Sequence, residues 1–207
     1  MFELLKNRTR FLLLSIFLSS LLISGCAAKK LKPAGFLDDY SHLESEKKQG
    51  LFVDRSKEAD LASYKKLIIE PVDVHFTEDA KGAEIDAATL NEFTDFLYDQ
   101  LTIALKGRFE IVETPGEGVL LLRTAITDVM PSKIYLNLHW STTATGLGVG
   151  GAAMEAEFVD SMTDARIIAV VDSRKGKRIK YFNGLSKWKH SKDVFQQWAK
   201  LLNELVE

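Results

Sequence analysis

The densest glycine stretch of the chain, "GLGVGG" at residues 146–151, is the first candidate for chemistry because glycine-rich loops cradle phosphates. A dinucleotide loop must lie between the end of a strand and the start of a helix, so that helix N–H groups meet the phosphate. Here the residues after Gly151 alternate as a strand does, and no Lys-Ser/Thr pair follows. The glycines are therefore expected to let the chain turn closely into a strand at Ala152, and nucleotide is excluded as a ligand. His42, His75, His139 and His190 are scattered and show no metal-ligand spacing. Asp38-Asp39 and Glu155/Glu157 are paired carboxylates outside any catalytic frame; alternation puts the second pair on one strand face, read as a solvated one. No Gly-x-Ser-x-Gly elbow occurs. The reading has no catalytic, cofactor-binding or metal-ligating residue, and the protein is not expected to be an enzyme. A site gathered from distant residues is the third-ranked alternative.

Cys26 is the one residue with a specific chemical frame. Lys6, Arg8 and Arg10 precede an apolar run, "FLLLSIFLSSLLI", and then "SGCAA", the order of a secretory signal. Ile23-Ser24-Gly25-Cys26 resembles the bacterial lipobox. That resemblance implies a diacylglycerol on the thiol, cleavage before Cys26, and an N-acyl chain, such as palmitate, on the new amino group. Two other readings compete. The uncharged span 11–28 is near the lower limit for an uncleaved membrane helix, though four serines and a glycine weaken it. Alternatively, the lone cysteine is a small buried apolar residue. Ala27 stands where many lipoproteins sorted to the inner membrane carry Asp, which points to the outer membrane, facing the periplasm. With Cys26 acylated, no thiol remains for a disulfide.

The net charge of −2 hides an asymmetry. Residues 174–192 hold eight basic side chains and no acidic one, leaving 19 Lys and Arg against 29 Asp and Glu elsewhere. A charge so local argues against a nucleic-acid partner. It makes Arg174, Lys175, Lys177, Arg178 and Lys180 candidates for binding an anionic lipid or glycan. The competing reading is a solvated hairpin tip. "IYLNLHW" at 134–140 reads as a short core strand or an apolar face for a partner.

These features need elements to position them. Residues 27–64 read as a tether, with "GFLDDY" and "GLFVD" the exceptions that could pack on the domain. The organisation is then signal peptide 1–25, lipidated N-terminus and tether 26–64, and a periplasmic domain at 65–207. "KKLIIEPVDVHF" opens that domain as a strand broken at Pro71. Leu90, Phe93, Leu97, Leu101 and Leu105 mark a helix over 86–106 with Asp86 as its cap. "RFEIVE" and "GVLLLRTAITDVM" read as strands joined by a type II turn with Gly116 at positive φ. "AAMEAEFVD" alternates cleanly, with Ala152, Met154, Ala156 and Phe158 inward, and "RIIAVVDS" is more buried. A terminal helix over 191–205 carries Val194, Phe195, Trp198 and Leu202 on one face. "VDSMTDARI" and "VDSRKGKRI" echo each other, with Asp160 and Asp172 expected to close strand ends. The order predicts an α/β (α+β) class: a single mixed sheet of about five to six strands packed by two amphipathic helices, a two-layer sandwich.

The stretches "GFLDDYSHL", "YKKLIIEPVDV", "VETPGEGVLLLRTAITDV", "GGAAMEAEFVDSMTDARIIAVVDSR" and the late "VFQQWAKLL" together resemble a family of bacterial lipoproteins, domain of unknown function 3313. The resemblance covers nearly the whole mature chain. It departs at Thr163-Asp164-Ala165, where the family usually has Thr-Gly-Glu, and at a shortened 131–151 loop. It implies an anchored envelope protein and transfers no catalytic residue. The element order is also similar, as analogy only, to domains of transport-auxiliary and secretion-associated lipoproteins. The expected partners are the membrane, through the lipid on Cys26, and an envelope protein for which the domain is a binding or scaffold component.

Overall fold

The computed structural model describes residues 30–47, 50–132, 150–175 and 187–207. Residues 31–207 form one compact unit. Its frame is an eight-stranded mixed sheet: β1 (Glu44–Ser45), β2 (Leu51–Arg55), β3 (Lys66–Ile69), β4 (Asp73–Val74), β5 (Glu110–Ile111), β6 (Val119–Met130), β7 (Gly151–Asp160) and β8 (Arg166–Lys175). The spatial order is β1-β2-β8-β7-β6-β3-β5, with β4 also paired to β6. The contacts from β1 to β6 are antiparallel, and β3, β4 and β5 join in parallel. Two helices, α1 (Ala87–Leu105) and α2 (Lys189–Val206), complete the α+β class expected.

The sheet has more strands than the five or six expected, for two physical reasons. Pro71 lacks an N–H and splits the first predicted strand into β3 and β4, both still paired with β6. The second reason lies in the stretch read as a tether: "GLFVD" forms most of β2, and the strand's five residues pair with β8 from Leu51↔Asp172 to Arg55↔Ile168. The sheet thus takes in the exception that the sequence marks within the tether.

α1 begins where expected: Asp86 accepts the Thr89 N–H at 2.9 Å, satisfying one of the free donors of the first turn. It buries Phe93, Leu97, Leu101 and Leu105, and α2 buries Val194, Phe195, Trp198 and Leu202. The two helices meet through edge-on rings, Phe93 against Phe195 at 5.7 Å and against Trp188 at 5.2 Å. Both lie on the sheet face presented by Ala152, Met154, Ala156 and Phe158 of β7, all fully buried. The alternation read from "AAMEAEFVD" is therefore the alternation of the core.

One connection differs from expectation. β5 and β6 flank β3 on opposite sides, so the chain between them must pass the start of β3 rather than close a hairpin. The residue that takes the left-handed conformation is Gly118 (φ +70), not Gly116, and its carbonyl accepts from Lys65 N and Lys66 N at the start of β3.

Candidate functional site

The opposite face of the sheet carries the arrangement that sequence reading missed. Ala125 on β6, Glu155 on β7 and Val171 on β8 lie side by side there. Across them runs a strap, residues 31–43. It buries Leu37 and packs Leu31, Phe36, Tyr40 and Leu43 around Phe52, Ala169 and Val171. A strand side chain on a solvated face would be exposed, yet Glu155 is 0% exposed. Its carboxylate accepts from Ala34 N at 2.5 Å, Phe36 N at 3.1 Å, Leu37 N at 3.2 Å and Tyr40 Oη at 2.5 Å. Its small neighbour on β6, Ala125, leaves room for backbone to descend onto the carboxylate.

The solvated-face reading of Glu155 and Glu157 is thus corrected. A buried carboxylate is tolerated only when hydrogen bonds replace its water, and the strap supplies four of them. Tyr40 extends the network, its oxygen accepting from Gly35 N at 2.8 Å and Leu37 N at 3.1 Å while its proton goes to Glu155. Burial, followed by the carboxylate beside it, pushes the Tyr40 phenol up to about 12. Glu157 is also buried and sits between Arg166 (3.1 Å) and Arg123 (3.5 Å). Arg166 Nη1 reaches on to the Asp39 carbonyl at 2.7 Å and pins the far end of the strap. Asp39 itself closes a turn by accepting from Ser41 N and Oγ, which hold its carboxyl below the usual range.

A second polar cluster lies under the helices. Asp172, expected to end a strand, sits instead within β8 and is 1% exposed. It accepts from Trp198 Nε1 at 2.5 Å and from Arg174 Nε. The strand runs on to Lys175 because these donors, not a turn, satisfy the carboxylate. Asp160 does behave as expected, accepting from Met162 N and Thr163 N at the β7–β8 turn.

Of the candidate anion-binding residues, Arg174 and Lys175 end β8. Arg174 is tied to Asp172 and mostly shielded, while Lys175 is exposed. Lys177, Arg178 and Lys180 lie outside the described residues, as do Cys26, His139, "IYLNLHW" and residues 146–149 of the glycine run. The two described glycines of that run serve close approach. A Cβ on Gly150 would lie 2.6 Å from the Met130 carbonyl, and one on Gly151 would strike the Arg174 carbonyl. β7 starts at Gly151, as the strand-entry reading expects.

Among the described residues no group of three or more His, Asp or Glu could hold a metal ion. No helix among them is long and apolar enough to cross a membrane. Two shallow surface hollows of about 260 and 230 Å³ open beside the end of α2 and beside Pro71. Among the described residues, polar groups converge at the seat of Glu155, whose chemistry is to hold a peptide segment. A signal for it existed: "RIIAVV" is apolar at consecutive positions, as a strand covered on both faces must be, so the second face needed a cover.

A family model described as "Protein of unknown function (DUF3313)" matches residues 32–202. The chain is similar to "Uncharacterized lipoprotein YdcL" of Escherichia coli K12, 27% identical over 188 residues covering 82% of this chain and 84% of the relative. Among solved structures, a PelC dodecamer from Paraburkholderia phytofirmans is 13% identical with a TM-score of 0.41, covering 72% of this chain and 96% of that one. The hypothetical protein CT253 from Chlamydia trachomatis is 9% identical with a TM-score of 0.37, covering 69% and 98%.

Proposed function

The chain belongs to the DUF3313 family, and on that premise we propose that it is a lipoprotein anchored through Cys26 to the outer membrane. Its domain faces the periplasm and works by binding, as a scaffold component of an envelope complex. The observation that carries the proposal is the strap. Residues 31–43, a few positions after Cys26, are built into the fold, with Ala34, Phe36 and Leu37 hydrogen-bonded to a fully buried carboxylate. Such a seat couples an anchor mechanically to a rigid sheet, which suits a protein that holds something in place.

The name of the Escherichia coli relative and the Ile23-Ser24-Gly25-Cys26 motif support lipidation, and Ala27 supports the outer membrane. Each buried methylene contributes about 0.8 kcal/mol, so a diacylglycerol with an added N-acyl chain anchors durably where one chain would not. The reading requires no other cofactor, no nucleotide and no catalysis. Density-gradient separation of the two membranes after crosslinking in cells tests it. The expected result is recovery in the outer-membrane fraction with a crosslinked envelope protein, and loss of both in Cys26→Ser. Recovery in the inner-membrane or soluble fraction of the wild type would overturn it.

A further inference from the structure

The seat of Glu155 also fixes where the chain leaves the domain. Ahead of Ala34 the strap reaches Lys32, whose Nζ lies 2.9 Å from Asp79 Oδ2. That pair is exposed and marks a position rather than adding stability. Asp79 stands in the loop between β4 and α1, which is fastened to one end of the sheet. Gly82 N donates to Asp128 Oδ1 at 3.1 Å, and a Cβ on Gly82 would lie 3.0 Å from Val129 N. There β6 ends with Met130 opposite Gly151, and Gly151 is opposite Lys175. α2 begins at the same end, Ser191 Oγ donating to the Gly151 carbonyl at 3.2 Å. The exit of the strap, the end of β6, the start of β7, the end of β8 and the start of α2 therefore share one end of the domain.

Two lengths set the orientation. Lys32 is six residues from Cys26, about 20 Å at full extension. The opposite end of the sheet, the β7–β8 turn with Met162 66% exposed, is ten strand residues away, about 33 Å. A leash shorter than the sheet does not let the domain stand on its Met162 end, because that would hold Lys32 about 33 Å from the bilayer. The near end also presents Lys81, Lys175 and Lys187, all exposed. Juxtamembrane lysines are attracted to anionic headgroups.

We infer that the domain stands end-on to the bilayer, with the end formed by Met130, Gly151 and Lys175 against the lipid surface and the Met162 turn farthest from it. This orientation depends on Cys26 being the anchor. It replaces a long, loose tether with a short leash, and leaves the Met162 end as the side open to a partner.

Cys26 is the chain's single cysteine, so in the acylated protein an introduced cysteine is the one thiol available to a dye. Lys81→Cys and Met162→Cys place a donor at either end. The full acylated protein is reconstituted in phosphatidylethanolamine–phosphatidylglycerol vesicles carrying a headgroup-linked acceptor, and energy transfer is read. Transfer from position 81 should be at least twofold stronger than from position 162. Equal transfer, as from a domain lying flat or tumbling, or stronger transfer from 162, would overturn the orientation. Protein that carries no acyl chain and fails to float with vesicles would overturn the anchor reading itself, before any dye is read. In Glu155→Gln the strap is released back to Asp39, whose carbonyl Arg166 still holds, a leash of about 45 Å, and the contrast should shrink. A contrast unchanged in that variant would overturn the part assigned to the strap.

Discussion

Replacing Glu155 with Ala should release the strap while leaving the helix face of the sheet intact. In the wild type the carboxylate accepts three backbone N–H groups and the Tyr40 hydroxyl, the Leu37 bond buried and the other three part-buried. A buried donor left without its acceptor costs about 1–3 kcal/mol. Leu37 N keeps Tyr40 Oη as an acceptor, so the donors left without one are Ala34 N, Phe36 N and the Tyr40 hydroxyl. At the low end these three set a floor of about 3 kcal/mol, unless residues 31–43 lift away and hydrate. Lifting exposes Leu37, whose burial contributes about 1.5–3 kcal/mol, so both routes cost a similar amount. At about 2–4 °C per kcal/mol for a domain of this size, the melting temperature should fall by about 6–12 °C. Hydrogen exchange separates release from global loosening. The amides of Ala34, Phe36 and Leu37 should lose protection while those of β6, β7 and α2 keep it. A variant that melts with the wild type, or that keeps those three amides protected, would refute the assignment of Glu155 as the seat. The Tyr40 phenol gives an independent handle with a defined sign. Its folded value, about 12, lies above its ordinary 10.0, so its contribution is complete below pH 10 and is lost as pH rises from 10 through 12. Strap amides should deprotect in that window in the wild type, and Tyr40→Phe should abolish the step.

Asp172→Ala removes the acceptor of both Trp198 Nε1 and Arg174 Nε and strands a shielded guanidinium. A loss of about 3–5 kcal/mol in urea unfolding is expected, with a smaller loss for Asp172→Asn. Gly151→Ala drives a Cβ into the Arg174 carbonyl, which is backbone and cannot swing aside; overpacking of this kind costs about 1–3 kcal/mol, read by thermal denaturation. Burial holds the His190 imidazole below its ordinary 6.5, with Asp193 opposing and Lys189 adding to the effect. Its contribution is present above pH 6.5 and lost as pH falls through the lowered value. The melting temperature should therefore drop as pH falls below 6.5, and less in His190→Gln.

The helix face was legible because periodicity reports burial directly. Phe93, Leu97, Leu101 and Leu105 recur at helical spacing, and Ala152, Met154, Ala156 and Phe158 alternate; both sets are core. What escaped were long-range polar contacts. Glu155 reads as an outward strand residue because its partners are backbone N–H groups 118–121 residues away, and backbone carries no residue type. Asp172 reads as a turn former because it recurs in the same local phrase as Asp160, yet its partner is a tryptophan on a helix 26 residues on. Within the 27–64 stretch the two exceptions, "GFLDDY" and "GLFVD", do pack, as strap and as β2, but their seats were hidden for the same reason. A segment that is polar and aperiodic in isolation becomes structure when one edge of a sheet and one buried carboxylate await it. The lipobox, by contrast, is a local motif read by a peptidase as extended chain, and its reading depends on sequence alone.

That motif is where the account is most directly tested. Cells fed a labelled fatty acid should yield a labelled protein, and the label should vanish in Cys26→Ser. Label that persists in Cys26→Ser, or a wild type that never acquires it, would contradict the account.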